Sequence, residues 1–146
     1  MSLKRYYTLY PINIKRFLNP DYMKLTQNFS LQEFNCKDGT PVPQKYIANA
    51  TEVAQNLEVL RSFLDKPILI SGSGYRTKSH NKKVGGAPKS QHLTASAADI
   101  SVTGLQPMQV AEAIETLIEQ EKMKQGGLGV YPTFVHYDIR GTKARW

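Results

Sequence analysis

The sequence predicts one domain that mixes α-helices with short β-strands, and three observations predict it. Two stretches, 44–64 and 107–124, repeat apolar residues at the three-and-four spacing of one helical face. Three short runs, 68–70, 97–102 and 134–140, have strand-like composition or alternation. The 146 residues, 40% apolar and 21% charged, suit one globular domain able to bury a core without disulfide staples.

Residues 1–28 read as a basic, aromatic N-terminal arm, with Tyr6, Tyr7, Tyr10, Phe17 and Tyr22 among Lys4, Arg5, Lys15, Arg16 and Lys24. The rest, 29–146, reads as the domain proper. Ser30 is an N-cap candidate, and Glu33 stands where a capping box is completed, so a short helix is expected to begin there. Lys37, Asp38, Gly39, Thr40 and Pro41 are turn chemistry. From residue 44 to residue 64, Ile47, Ala50, Val53, Ala54, Leu57, Leu60 and Leu64 make the apolar stripe of the main core helix, which Asp65, Lys66 and Pro67 end.

The run Ile68, Leu69, Ile70 is expected as a buried strand, and Ser71, Gly72, Ser73 and Gly74 then turn the chain toward Tyr75, Arg76 and Thr77. Residues 78–89 form a basic loop with about one helical turn. A strand over 97–102 follows, then a helix from Pro107 to about Lys124 with Val110, Ala111, Ile114, Leu117 and Ile118 buried. Gly126 and Gly127 are expected to terminate it. In the last run Val135, Tyr137 and Ile139 point one way, and Phe134, His136, Asp138 and Arg140 the other.

The stretch 90–99 carries the chemistry. His92 and Asp99 can both ligate a cation such as zinc, yet seven residues would separate them by roughly 10 Å in a helix or roughly 23 Å in a strand. A shared ion therefore requires the chain to fold back around Thr94, Ala95 and Ser96. His136 is the natural third donor, because catalytic zinc sites commonly take two ligands close in sequence and one remote. The chain has only three histidines, and the third, His80, lies in the basic loop facing solvent or substrate.

Several ordered blocks then resemble one family. Residues 71–77, 90–92 and 97–100, followed by 126–132 and 134–138, are similar to the M15 zinc D-Ala-D-Ala carboxypeptidases and peptidoglycan endopeptidases. The likeness runs from Phe29 to Trp146 and includes 29–31 and 37–43. It implies an α+β fold shared with the hedgehog signalling domain, a small, mainly antiparallel sheet with packed helices. It also implies Zn2+ on His92, Asp99 and His136, with hydrolysis of peptidoglycan stem or cross-link peptides. Such an ion lowers the pKa of its water to about 7 and polarises the scissile carbonyl.

Arg76 stands where the family keeps an arginine, which implies oxyanion binding and substrate contact. Ser90 is a substrate-binding candidate or a turn residue. The general base is open: relatives with an acid three positions before the last histidine have it where this chain has Thr133. Asp138 is then either that base or the carboxylate that orients His136. Ala95 departs from a frequent glycine, and its β-carbon restricts positive φ.

The formal charge of +7 favours an anionic partner, with Lys78, Lys82, Lys83 and Lys89 as substrate-side candidates. Peptidoglycan peptides are the expected partner, and the chain is expected to act as a monomer. Two rivals stand beside this reading: an inactive zinc-containing binding module, motivated by Thr133, and a basic nucleic-acid-binding domain, the less favoured partner class. No Gly-x-Ser-x-Gly elbow, phosphate loop or His-Glu-x-x-His helix occurs, which excludes those hydrolases. Cys36 is the only cysteine, expected as a small core residue, so no intrachain disulfide forms. No apolar run reaches membrane-spanning length, so a soluble protein is expected; no secretory leader is visible, and localisation stays open between a phage-released wall hydrolase and an exported enzyme whose leader was removed.

Overall fold

The apolar stripe of the main helix organises the core. In the structure, a computed structural model that describes residues 23–146, this helix is α1 (Ile47–Leu64), entered through a 3-10 turn at Gln44–Tyr46. Ala50, Val53, Ala54, Leu57 and Leu60 are buried, as the three-and-four spacing requires, while Ile47 and Leu64 at the two ends of the expected stripe are only partly buried. Removing each leucine from water contributes about 2 kcal/mol. Asp65 closes the helix in the left-handed region, φ 51°, and Pro67 prevents its resumption. Among the described residues the other α-helices are a short α2 (Lys78–Lys83) and α3 (Pro107–Glu119).

Strands β1 (Ala97–Ile100), β2 (Gly127–Val130), β3 (Val135–Asp138) and β4 (Ala144–Arg145) form one sheet in the order β1-β3-β2-β4. The β1–β3 and β2–β3 pairs are antiparallel and β2–β4 is parallel. The fold is thus α+β with a small mixed sheet, and α1 and α3 pack against it. Phe34, Ile100, Ile114, Val135 and Tyr137 fill the space between these layers. Cys36 is buried among them, as a small core residue should be.

Two local expectations change and two are sharpened. The residues after Ser30 form the expected short helix as one 3-10 turn, Leu31–Phe34, and the Glu33 carboxylate accepts the Ser30 N–H at 2.7 Å. Ile68–Ile70 makes only a single bridge, Leu69 to Ser101, with Leu69 59% exposed. The ladder fails because Asp99, two residues before Ser101, pairs its backbone with Gly72 and Ser73, three and four residues after Leu69. That excess breaks the pairing as a bulge does. Helix α3 ends at Glu119, with Glu121 at φ 58° and Lys124 drawn back to α1 by its N–H bond to Asn56 Oδ1 at 2.7 Å. Gly126 and Gly127 therefore do not cap it, and Gly127 opens β2. Ala95, fourth, does adopt positive φ, 55°, despite its β-carbon.

The arm expected over 1–28 falls mainly on 1–22, outside the described residues. Its last residues join the domain: Leu31 N–H bonds Met23 O at 2.7 Å, and Glu58 on α1 accepts from Thr26 Oγ1, Asn28 N and Asn28 Nδ2 at 2.7–2.8 Å. Burial pushes the Glu58 carboxyl up, but the bonds from Asn28 and Thr26 prevail and hold it below its ordinary value of 4.5. Its contribution is therefore fully present above pH 4.5 and lost as pH falls through the lower folded value. Glu58→Gln is expected to destabilise the fold by about 1 kcal/mol at pH 7, and urea unfolding should show the difference vanishing in acid.

Candidate metal centre

The strand register builds the centre. Asp99 on β1 is the direct cross-strand partner of His136 on β3, so their side chains leave the same face of the sheet as neighbours. His92 arrives from the 3-10 turn Gln91–Thr94, which Ser90 caps by accepting the His92 N–H at 3.2 Å. Ala95 then reverses the chain, and Asn49 of α1 holds the reversal by donating to Thr94 O at 2.9 Å. The fold-back demanded by the spacing of His92 and Asp99 is thus present.

Asp99 Oδ1 lies 3.1 Å from His136 Nδ1 and 3.2 Å from His92 Nε2. The three donors fall within 4.8 Å of one another on side chains that are 2%, 4% and 6% exposed for His92, Asp99 and His136. His92 Nδ1 is 2.7 Å from Gly74 O, which can only accept. Nδ1 therefore carries the proton, and the lone pair of Nε2 is turned toward Asp99. Among the described residues that Nε2 is buried without a hydrogen-bond partner, since its approach to Asp99 lacks bonding geometry. An orphaned lone pair beside a carboxylate and a second imidazole is a donor set that fits a cation.

The charges respond to this crowding. Burial pushes the Asp99 carboxyl up, but hydrogen bonding to His136 and the closeness of His92 outweigh it and hold the group well below the carboxylate range. Burial likewise opposes the charged form of His136, yet the carboxylates of Asp138 and Asp99, one at each ring nitrogen, raise its pKa.

Asp138 shares the face of His136, as alternation along the strand requires, and its Oδ2 meets His136 Nε2 at 2.7 Å. The carboxylate is fully buried and also accepts from Gly127 N at 2.8 Å, Arg140 Nε at 2.9 Å and Arg140 Nη2 at 2.7 Å. It stands behind His136, outside the cleft onto which the donors open. Gly126 and Gly127 make this possible, because a β-carbon at either would overlap Asp138.

The cleft has a volume of about 520 Å3, and Arg76, Ser90, Tyr131 and Trp146 surround the three donors. Arg76 is fixed by Nε to Ser73 Oγ at 2.8 Å, Nη1 to Asn81 Oδ1 at 3.2 Å and Nη2 to Asp99 Oδ2 at 3.4 Å. Among the described residues, Asp99 is the only acid lining the cleft. Thr133 lines a separate small cavity with Ile100 and Val102.

A match to the peptidase M15 family model spans residues 26–138, most of the chain. The chain belongs to the peptidase M15 family. No curated protein matches it. The membership makes it a peptidase by family, and the His92, Asp99 and His136 cluster is its candidate metal-binding group. No helix among the described residues is long and apolar enough to cross a membrane.

Sequence reasoning missed Asn81, which braces Arg76, and Trp146, whose indole lies 5.0 Å from the His136 ring and bonds Tyr131 Oη at 2.8 Å. Gly129, opposite His136, leaves room for that indole. Cys36, Asp38 and His80 form a second donor cluster. There the Thr77 hydroxyl donates to Asp38 Oδ2 at 2.8 Å and accepts the His80 N–H at 3.2 Å, which ties the 36–40 turn to the start of α2.

Proposed function

We propose that this chain is a zinc-dependent peptidase that hydrolyses stem or cross-link peptides of peptidoglycan. The observation that carries the reading is the orphaned His92 Nε2, converging with Asp99 Oδ1 and His136 Nδ1 in a family of peptidases. These three atoms would hold the ion. Zinc bound there supplies a Lewis acid that polarises a peptide carbonyl and lowers the pKa of water to about 7.

The other residues have distinct tasks. The Gly74 carbonyl and the Asp138 carboxylate fix the tautomers of His92 and His136, so that a lone pair of each ring faces the ion. Asp138 is a positioning residue in this reading and not the general base, since its oxygens are fully engaged away from the cleft. Arg76 lines the cleft with an obligatory positive charge and binds the oxyanion of the tetrahedral intermediate. Ser90 Oγ, which accepts the His92 N–H, keeps its own proton to donate to substrate.

Asp138→Asn is expected to weaken zinc binding about 10–100-fold, as read by competition with a chromophoric chelator. Gly127→Ala should move affinity the same way, because its β-carbon displaces that carboxylate. An unchanged affinity in both would remove the positioning role.

Among the described residues the cleft has no second acid, which favours the alternative, a zinc-retaining binding module without turnover. Purified peptidoglycan incubated with the zinc-loaded protein separates the two. New peptide fragments by mass spectrometry support the peptidase, whereas bound zinc with no fragments supports the module.

A further inference from the structure

Beside the metal cleft lies a second depression of about 620 Å3 that shares Arg76, Ser90 and Gln91 with it. Four cations line it, Arg76, Lys45, Lys78 and Lys89, and among the described residues no acidic side chain does. Among the described residues none of the three lysines is in a salt bridge, in contrast to Lys124 with Glu52 and Arg145 with Glu115. Lys45 is held over the Tyr46 ring at 5.0 Å, and that ring stands 6.1 Å from Tyr75. Burial pushes the Tyr75 phenol up, so it stays neutral and adds no negative charge. The result is an aromatic wall under three lysines with no acidic partner, next to Arg76, whose one acidic partner is Asp99 in the neighbouring cleft.

We propose that this depression binds an anionic, carboxylate-bearing portion of the peptide whose reacting bond lies over His92, Asp99 and His136. The inference rests on the peptidase reading of the neighbouring cleft and names the substrate chemistry it selects. The shared wall makes the two sites one path. A chain leaving the metal centre over Arg76 enters a space in which Lys45, Lys78 and Lys89 have no acidic partner and opposite charge is favoured. Of the four lysines expected on the substrate side, only Lys78 and Lys89 line this space, and Lys45 joins them from the entry to α1.

The test compares Lys45→Glu, Lys78→Glu and Lys89→Glu combined with a control of equal charge change on remote exposed lysines, Lys66→Glu, Lys122→Glu and Lys143→Glu. Each exposed pair is worth up to about fivefold in affinity, so the first triple variant should raise KM for soluble muropeptides by roughly tenfold or more. Its kcat and zinc content should stay unchanged, and the control should show at most a small rise. Wild type should lose the same factor on muropeptides whose carboxylates are amidated. Equal KM changes in the two triple variants, or no loss on amidation, would overturn the proposal. Should wild type show no turnover, the peptidase reading fails separately. The proposal is then read from anisotropy of labelled muropeptides, which must bind wild type roughly tenfold or more tighter than the Lys45, Lys78 and Lys89 variant.

Discussion

His136→Ala is expected to lower turnover on peptidoglycan by about 10^3-fold or more with the fold retained. A bound metal supplies several kcal/mol of transition-state stabilisation, and each 1.36 kcal/mol is tenfold in rate. The substitution removes the Nδ1 donor that lies 3.1 Å from Asp99 Oδ1. It also removes the link between the metal centre and Asp138, whose carboxylate keeps Arg140 and Gly127 as partners, so no buried charge is left unpaired. Val135 and Tyr137 on the opposite face continue to hold β3 in the core. Fragment release measured by mass spectrometry, with circular dichroism as the check on folding, reads the effect. A folded variant within tenfold of wild type would contradict the assignment.

Arg76→Lys is expected to lower kcat by about 10^2–10^3-fold at saturating zinc. Lysine keeps the charge but loses the planar fork that simultaneously meets Ser73, Asn81 and Asp99. A role limited to bracing Asp99 predicts something else, namely weaker zinc affinity with kcat restored once zinc saturates. The two are separated by measuring kcat across a zinc titration. Gly86 serves the same assembly, since a β-carbon there would overlap Asn81 Oδ1 and crowd Arg76.

Much of this is legible in the amino-acid sequence. The stripes from Ala50 to Leu60 and from Val110 to Ile118 are local periodicities, and both helices bury the residues they predict. The reversal after His92 follows from distance alone. His136 and Asp138 on one face, with Val135 and Tyr137 on the other, follow from strand alternation.

What stayed hidden is non-local. The register that sets Asp99 against His136 is a property of two strands, and neither segment contains it. Gly126 and Gly127 look like a helix end, yet their bare α-carbons answer to Asp138, eleven or more residues later. Ile68–Ile70 has strand composition, but the mismatch with Asp99 at Gly72 and Ser73 lies beyond the run. Trp146 reaches His136 only because β4 pairs parallel to β2. The sequence leaves Asp138 as either base or positioning group, and the contacts that favour the second role in the proposal, Gly127 and Arg140 beside His136, are equally non-local or side-chain details.

The most direct test of the metal centre is zinc stoichiometry by equilibrium dialysis and elemental analysis for wild type and for His92→Ala, Asp99→Ala and His136→Ala. The account predicts one zinc per wild-type chain and loss of that zinc in each folded variant. One zinc per chain retained in all three would contradict it.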